Sequence, residues 1–382
     1  MKHYSRPFEL ILKNRLKEKP RFIQTVLGPR QVGKTSGVLH VLEKKFSAKD
    51  YEYFTAENHI LEADWFFQQV QKATENNKKI IVFDEIQKMP NWSELVKQAW
   101  DNQKKQKKLM HWVLLGSSSL KLSQGLSESL AGRFEIISAP HWSYKESQVG
   151  FKIGFDNYLK SGGYPAAYSL LKDPSRFKKY MLDAVFETVV SRDIFHYATI
   201  KKPALFRQTF ILASQYPAQE VSYNKLLGQL QEAGNVDQIK HYLDLFTQAF
   251  LLKLVFKYSK SPLSRLSSPK ILSCAPVFNS LFLKRELTPE EKGRVFESVV
   301  GSQLCEHFDS VYYWRDGRYE VDYIVETDGV LYTVEVKTKT RKSSGYLVFK
   351  KSHANAKFCM IDFENFQEFE KSAIDFLKKY SI

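Results

Sequence analysis

The sequence predicts an α/β fold whose first part is a parallel sheet, and three observations predict it. Gly28-Pro29-Arg30-Gln31-Val32-Gly33-Lys34-Thr35 fits G-x-x-x-x-G-K-[ST], the loop that wraps nucleotide phosphates. Short apolar runs alternate with helical periodicity through residues 1–160, which implies parallel strands joined by right-handed crossovers. One of those runs ends in Asp84-Glu85, the carboxylate pair that serves metal and water beside such a loop.

Each element follows from its residues. Phe22–Leu27 reads as a buried strand, and Ser36–Phe46 places Val38, Leu39, Val41, Leu42 and Phe46 at helical spacing. The loop between them can offer backbone N–H groups and a helix N-terminus to an anion. Further strands are expected at Tyr51–Phe54, Ile80–Phe83, Trp112–Leu115 and Glu135–Ser138, with a helix over Asn91–Trp100. Trp65, Trp92, Trp100 and Trp112 are expected to pack in the core. Lys104-Lys105-Gln106-Lys107-Lys108 is expected to be a solvated loop or a nucleic-acid contact.

The chemistry assigns roles. Residues Gly28 to Thr35, with Ser36, line ATP; Lys34 reaches the β- and γ-phosphates. Thr35 and Asp84 hold Mg²⁺, and Glu85 polarises the attacking water. Trp112–Leu115 leads into Gly116-Ser117-Ser118-Ser119, where Ser117 or Ser118 senses the γ-phosphate or merely makes a turn. Arg133 can bring a guanidinium to the transferring phosphate, with Arg192 as its rival; either can instead make an ion pair.

Residues 161–286 open on the turn Ser161-Gly162-Gly163-Tyr164-Pro165 and look mostly helical. Amphipathic helices at Tyr223–Leu230 and Gln238–Phe246, a Gly-containing turn and a strand at Leu251–Phe256 suggest a winged helix-turn-helix or a plain helical linker. Residues 287–382 begin with a capped helix start, Thr288-Pro289-Glu290-Glu291, running to about Phe308. Strands at Val311–Arg315, Glu320–Glu326 and Val330–Thr338 follow, with turns at Asp316-Gly317 and Asp328-Gly329. A strand at Lys357–Ile361 and a helix from about Phe366 close the chain. Glu335 and Lys337 share one strand face, Asp322 lies on the preceding strand, and Glu297 lies on the leading helix.

The net charge of +15 favours a polyanionic partner, DNA before RNA, with no basic amphipathic helix to suggest a membrane surface. Cys274, Cys305 and Cys359 are too scattered for a zinc or redox motif and read as free thiols of a reducing cytoplasm. No apolar leader and no run of ~18 apolar residues occurs, so a soluble, cytoplasmic protein is expected. The histidines show no metal-binding spacing.

With these motifs placed, the chain resembles the archaeal and bacterial AAA+-type P-loop ATPases that carry an uncharacterised C-terminal domain. The matching stretches are Gly28–Thr35, Phe83–Gln87, Gly116–Ser119, Ala131–Arg133, Gly162–Pro165, Trp314–Asp316, Glu320–Asp322 and Glu335–Lys337. The resemblance implies an ATPase domain (1–160), a helical and winged-helix middle (161–286) and a restriction-endonuclease-like domain (287–382). It also implies a homo-oligomer in which one subunit's arginine can serve its neighbour. The order helix Glu, strand Asp, Glu-x-Lys is similar to PD-(D/E)XK nucleases, in which Glu297, Asp322 and Glu335 would ligate Mg²⁺ and Lys337 would assist the nucleophile. Such folds also persist as binding modules. Lys270–Cys274 departs from the family pattern, lacking its aromatic and acidic residues.

Overall fold

The computed structural model describes residues 4–56, 62–116, 129–232, 234–259, 267–337 and 344–382. Two compact units emerge: residues 1–141 with 187–199, and residues 142–186 with 200–382. The division differs from the expected boundaries at 160 and 286. Its cause is long-range pairing that local patterns do not carry.

The first unit holds a five-stranded parallel sheet. Its strands are β1 (Ile23–Leu27), β2 (Tyr51–Thr55), β3 (Ile80–Asp84), β4 (His111–Gly116) and β5 (Phe134–Ser138). The order is β2-β3-β4-β1-β5. All five expected strands are present, each within a residue of its expected ends. β4 separates the phosphate-loop strand from the Asp84 strand, pairing Val113 with Gln24 on one side and with Val82 on the other. Ligands of such sheets bind beyond the strands' carboxyl ends, where both motifs lie.

Alternation along the strands feeds two cores. On one face Val26, Val82, Val113 and Leu115 pack with Phe8 and Leu12 of α1 (Pro7–Arg15) and Val38, Val41 and Leu42 of α2 (Lys34–Lys45). On the other, Phe83 and Trp112 pack with Phe66 of α3 (Ala63–Glu75), and Trp100 of α4 (Trp92–Lys105) meets Trp112 edge-on. Trp92, Trp100 and Trp112 are buried, as expected. Lys104 and Lys105 are not loop residues: they form the last turn of α4, where cations suit the helix dipole. Residues 187–199 complete the unit with a π-helical stretch, Thr188–Asp193, continued by Ile194–Tyr197.

The second unit holds a mixed seven-stranded sheet. Its strands are β6 (Gln219–Glu220), β7 (Leu252–Lys257), β8 (Lys270–Ser273), β9 (Val311–Asp316), β10 (Tyr319–Thr327), β11 (Val330–Val336) and β12 (Lys357–Ile361), in the order β12-β11-β10-β9-β7-β8-β6. β7 joins β9 in parallel through Phe256–Tyr312 and Lys257–Tyr313, which fuses the middle segment's strands to the carboxy-terminal ones. Helix Pro289–His307 starts with the expected capping box, Thr288 Oγ1 accepting from Glu291 N–H at 3.2 Å and Glu291 Oε2 accepting from Thr288 N–H at 2.8 Å. Its Phe296, Val299, Val300 and Leu304 pack with Tyr313, Tyr323 and Val334 of the sheet. Helices Tyr223–Gly228 and Val236–Gln248 are capped by Ser222 and Asn235, and Phe246 of the latter packs on Phe206 and Phe210 of helix Pro203–Ser214. No helix among the described residues is long and apolar enough to cross a membrane. The three cysteines are free thiols.

Candidate functional site

The loop after β1 is shaped by two glycines. A Cβ on Gly28 would lie 2.0 Å from the Ala139 carbonyl oxygen, so only glycine lets the strand end pass that backbone. Gly33 has φ +89, a left-handed turn that points the chain into α2. Arg6, almost fully buried, braces the loop from outside: its guanidinium donates to the carbonyls of Val32 (3.0 Å) and Pro140 (2.8 Å).

Lys34 opens α2 with its ammonium buried and turned inward. It donates to the carbonyls of Gly28 (3.0 Å) and Pro29 (2.7 Å). Desolvation draws its pKa down to about 8, against the pull of Glu85 and Asp84. Thr35 Oγ1 donates to Asp84 Oδ2 at 2.7 Å, so the loop meets the tip of β3 as the motifs predict. Tyr53, on the neighbouring strand β2, donates its hydroxyl to the same oxygen, and Asp84 Oδ1 accepts the Glu85 N–H at 2.9 Å. Burial, then the bond to Asp84, holds the Tyr53 phenol well above its ordinary range, keeping it a donor. Glu85 sits at φ +52, a left-handed conformation that costs a non-glycine residue about 1–3 kcal/mol. Gln87 donates its amide to the Glu85 carboxylate.

A hydroxyl and a carboxylate in mutual contact are hard oxygen donors of the kind Mg²⁺ takes, and the loop's backbone supplies a phosphate cradle, so these residues fit a magnesium nucleotide.

Other expected residues lie elsewhere. Arg30 forms an ion pair with Asp193, a buried carboxylate from residues 187–199. Arg133 is corrected as a same-chain partner for the phosphate: its carbonyl accepts the Ile23 N–H at 2.8 Å, at the amino end of β1. The phosphate loop leaves the opposite end, roughly 13 Å away at about 3.3 Å per strand residue. Arg133 instead grips Asp101 with two bonds of 3.0 and 2.9 Å. Ser117 and Ser118 lie outside the described residues, as does the side chain of Arg192.

In the second unit the expected carboxylates do converge. Lys337 Nζ lies 2.8 Å from Glu335 and 3.6 Å from Asp322, whose Oδ2 also accepts the Val336 N–H at 2.8 Å. The register of β10 against β9 shifts between Val321 and Ile324, re-aiming Asp322. Carboxylate oxygens of Glu297, Glu320 and Asp322 lie within 4.8 Å of one another. Between them sits a residue the sequence reading passed over. Lys270 Nζ donates to Glu297 at 2.8 Å, to Glu320 at 3.0 Å and to the Asp322 carbonyl at 3.3 Å. Desolvation lowers the Lys270 pKa, but Glu297, Asp322 and Glu320 outweigh it and hold the ammonium above its ordinary value. Burial pushes the Glu297 carboxyl up, and Lys270 pulls it back. Arg315 pairs with Glu320 and, at 3.4 Å, with Glu220. Each expected magnesium donor is thus already engaged by a lysine, so this group does not fit a divalent ion as it stands.

Tyr53, Arg6, Asp193 and Lys270 were missed as site residues. Signals existed: Tyr53 shares a strand face with Thr55, Asp193 adjoins the noted Arg192, and Lys270 heads the apolar pair Ile271-Leu272.

One family match spans the phosphate loop and Asp84. Residues 20–148 match the family described as AAA domain. That match covers about a third of the chain. Residues 153–274 and 292–375 match two families described as domains of unknown function, DUF8612 and DUF4143. An uncharacterized protein of Methanocaldococcus jannaschii is 23% identical over 390 residues, spanning 93% of this chain and 85% of its own. One from Haemophilus influenzae is 25% identical over 62% of this chain and 63% of its own, and one from Mycobacterium tuberculosis is 26% identical over 83% and 70%. Among solved structures, the ORC1 protein of Aeropyrum pernix in complex with DNA covers 72% of this chain and 91% of its own at 15% identity and a TM-score of 0.33. AMPPCP-bound DnaA from Aquifex aeolicus covers 64% and 90% at 12% identity and 0.34. Scores this low carry no functional weight.

Proposed function

We propose that the protein binds ATP with Mg²⁺ at Gly28–Ser36 and hydrolyses it, using turnover to control a polyanionic partner, DNA before RNA. The observation that carries this reading is the 2.7 Å contact between Thr35 of the phosphate loop and Asp84 at the tip of β3. Backbone N–H groups of the loop bind the phosphates, and Lys34 exchanges the Gly28 and Pro29 carbonyls for phosphate oxygens. Mg²⁺, when bound by Thr35 and Asp84, supplies charge neutralisation at the β- and γ-oxygens. Tyr53 orients Asp84, and Glu85 accepts the proton of the attacking water while Gln87 fixes its direction.

The partner reading rests on the net charge of +15 and on a capped helix pair followed by a strand, residues 223–257, which we read as a winged helix. The carboxy-terminal strands and helix we read as a nuclease-like fold used for binding. The observation favouring binding over cleavage is the Lys270–Glu297 pair inside its carboxylate group.

Nucleotide binding and turnover measured on Lys34→Ala and Glu85→Gln test the first site. Lys34→Ala should lose binding. Glu85→Gln should keep it while losing about 10²–10⁴-fold in turnover. Normal hydrolysis by Lys34→Ala removes the assignment.

A further inference from the structure

We propose that Lys270 is the resident cation of the carboxylate group in the second unit: its ammonium keeps divalent metal out of the cleft that Glu297, Glu320 and Asp322 line.

An ammonium has three N–H donors. All three are used by oxygens of one cluster: Glu297 at 2.8 Å, Glu320 at 3.0 Å and the Asp322 carbonyl at 3.3 Å. The faces left over are covered by aromatic rings, Tyr323 at 5.2 Å and Tyr313 at 5.8 Å from the nitrogen. Lys270 has no solvent exposure, so water offers it no alternative partner. The cage is therefore made of oxygen ligands and ring faces, as a cation site is, and it comes with its cation attached to the chain.

Charge agrees with geometry. Glu220, Glu297, Glu320, Asp322 and Glu335 face Lys270, Lys337 and Arg315, so each of the five carboxylates already has a cation of the chain beside it. Adding a divalent ion would place two further positive charges against a buried ammonium, in a cleft of about 330 Å³ that Arg294 and Arg315 also line. Position 270 opens β8, which is bonded between β7 and β6, so the backbone that carries the lysine is held on both sides.

Titration with Mn²⁺, followed by the loss of its free-ion electron paramagnetic signal, tests this on the nucleotide-free full chain. Lys270→Met keeps an unbranched apolar stem, one atom shorter, and removes the charge. Wild type should take up no Mn²⁺ that Asp322→Asn abolishes. Lys270→Met should bind one ion, at least about tenfold tighter than any Mn²⁺ that wild type retains elsewhere, and Lys270→Met/Asp322→Asn should lose it. Uptake by wild type that Asp322→Asn removes overturns the proposal, and so does a folded Lys270→Met that takes up none. If circular dichroism shows Lys270→Met unfolded, wild-type crystals soaked in Mn²⁺ decide: an anomalous peak among Glu297, Glu320 and Asp322 overturns it, and a cluster without one upholds it.

Discussion

Thr35 Oγ1 and Asp84 Oδ2 are 2.7 Å apart, joining two motifs that lie on strands separated by a third. The hydroxyl must trade this bond for a metal contact when nucleotide enters. Thr35→Val should abolish the tightening of ATP binding by Mg²⁺ while leaving binding in EDTA intact. Tyr53→Phe, which frees Asp84 to rotate, should weaken the Mg²⁺ effect by about 10–100-fold. Fluorescent-nucleotide titrations with and without metal measure both.

ATP affinity should fall with rising pH above about 8. The free protein's Lys34 loses its proton near there, and phosphate holds the proton on, so binding above this pH requires proton uptake. The slope approaches about tenfold per pH unit. Stability without nucleotide runs the other way. Between about 8 and the ordinary 10.5 the unfolded chain binds the extra proton, so Lys34's contribution to stability rises with pH. Calorimetric titrations and denaturant melts across pH 7 to 10 check the two signs.

Arg30→Ala should cost more stability than Asp193→Ala. The first leaves a carboxylate that is 7% exposed without its cation, whereas the second leaves a guanidinium that is 29% exposed and reaches water. Removing one member of a well-buried pair costs about 3–5 kcal/mol, and the partly exposed arginine should forfeit far less. Chemical denaturation of the two variants and the double variant measures the asymmetry; equal losses would contradict it.

Arg133→Ala should leave the turnover of dilute, single chains unchanged and cost about 1 kcal/mol of stability, because its pair with Asp101 is about a third exposed and partly screened by water. If chains assemble so that this guanidinium meets a neighbour's phosphate, a loss of activity should appear only at the protein concentrations where they do. Turnover per subunit against concentration makes the distinction.

Binding to duplex DNA should fall by about 10³–10⁵ between 50 and 200 mM salt if six to ten phosphates are contacted. Fluorescence anisotropy across that range reads the slope, and a flat response points to a protein partner.

The parallel sheet was legible because each strand advertises itself locally: Ile80-Ile81-Val82-Phe83 is apolar on both faces, as a buried parallel strand must be. The phosphate loop was legible because its chemistry is contiguous. β8 was not: Lys270-Ile271-Leu272-Ser273 is short and opens with a charge, and one of its two partners, β6 at Gln219–Glu220, is distant in sequence. The fusion of β7 to β9 rests on two residue pairs across some fifty positions, beyond the reach of periodicity. Tyr53 and Asp193 were hidden for the same reason, since each acts through a partner that only the fold supplies. Glu335 and Lys337 were found because two residues on one strand face need no tertiary information.

Because Asp193 belongs to a segment that returns to the first unit after some forty-five residues have gone to the second, synthesis on the ribosome must leave the first unit short of its last thirteen residues for that interval. Val189, Val190 and Ile194 arrive late, and until they do the surface they cover stays open to water and to chaperones. A gene cut at residue 148, where the AAA match ends, yields a polypeptide missing that last piece, and co-expressing residues 187–199 as a peptide should improve its yield.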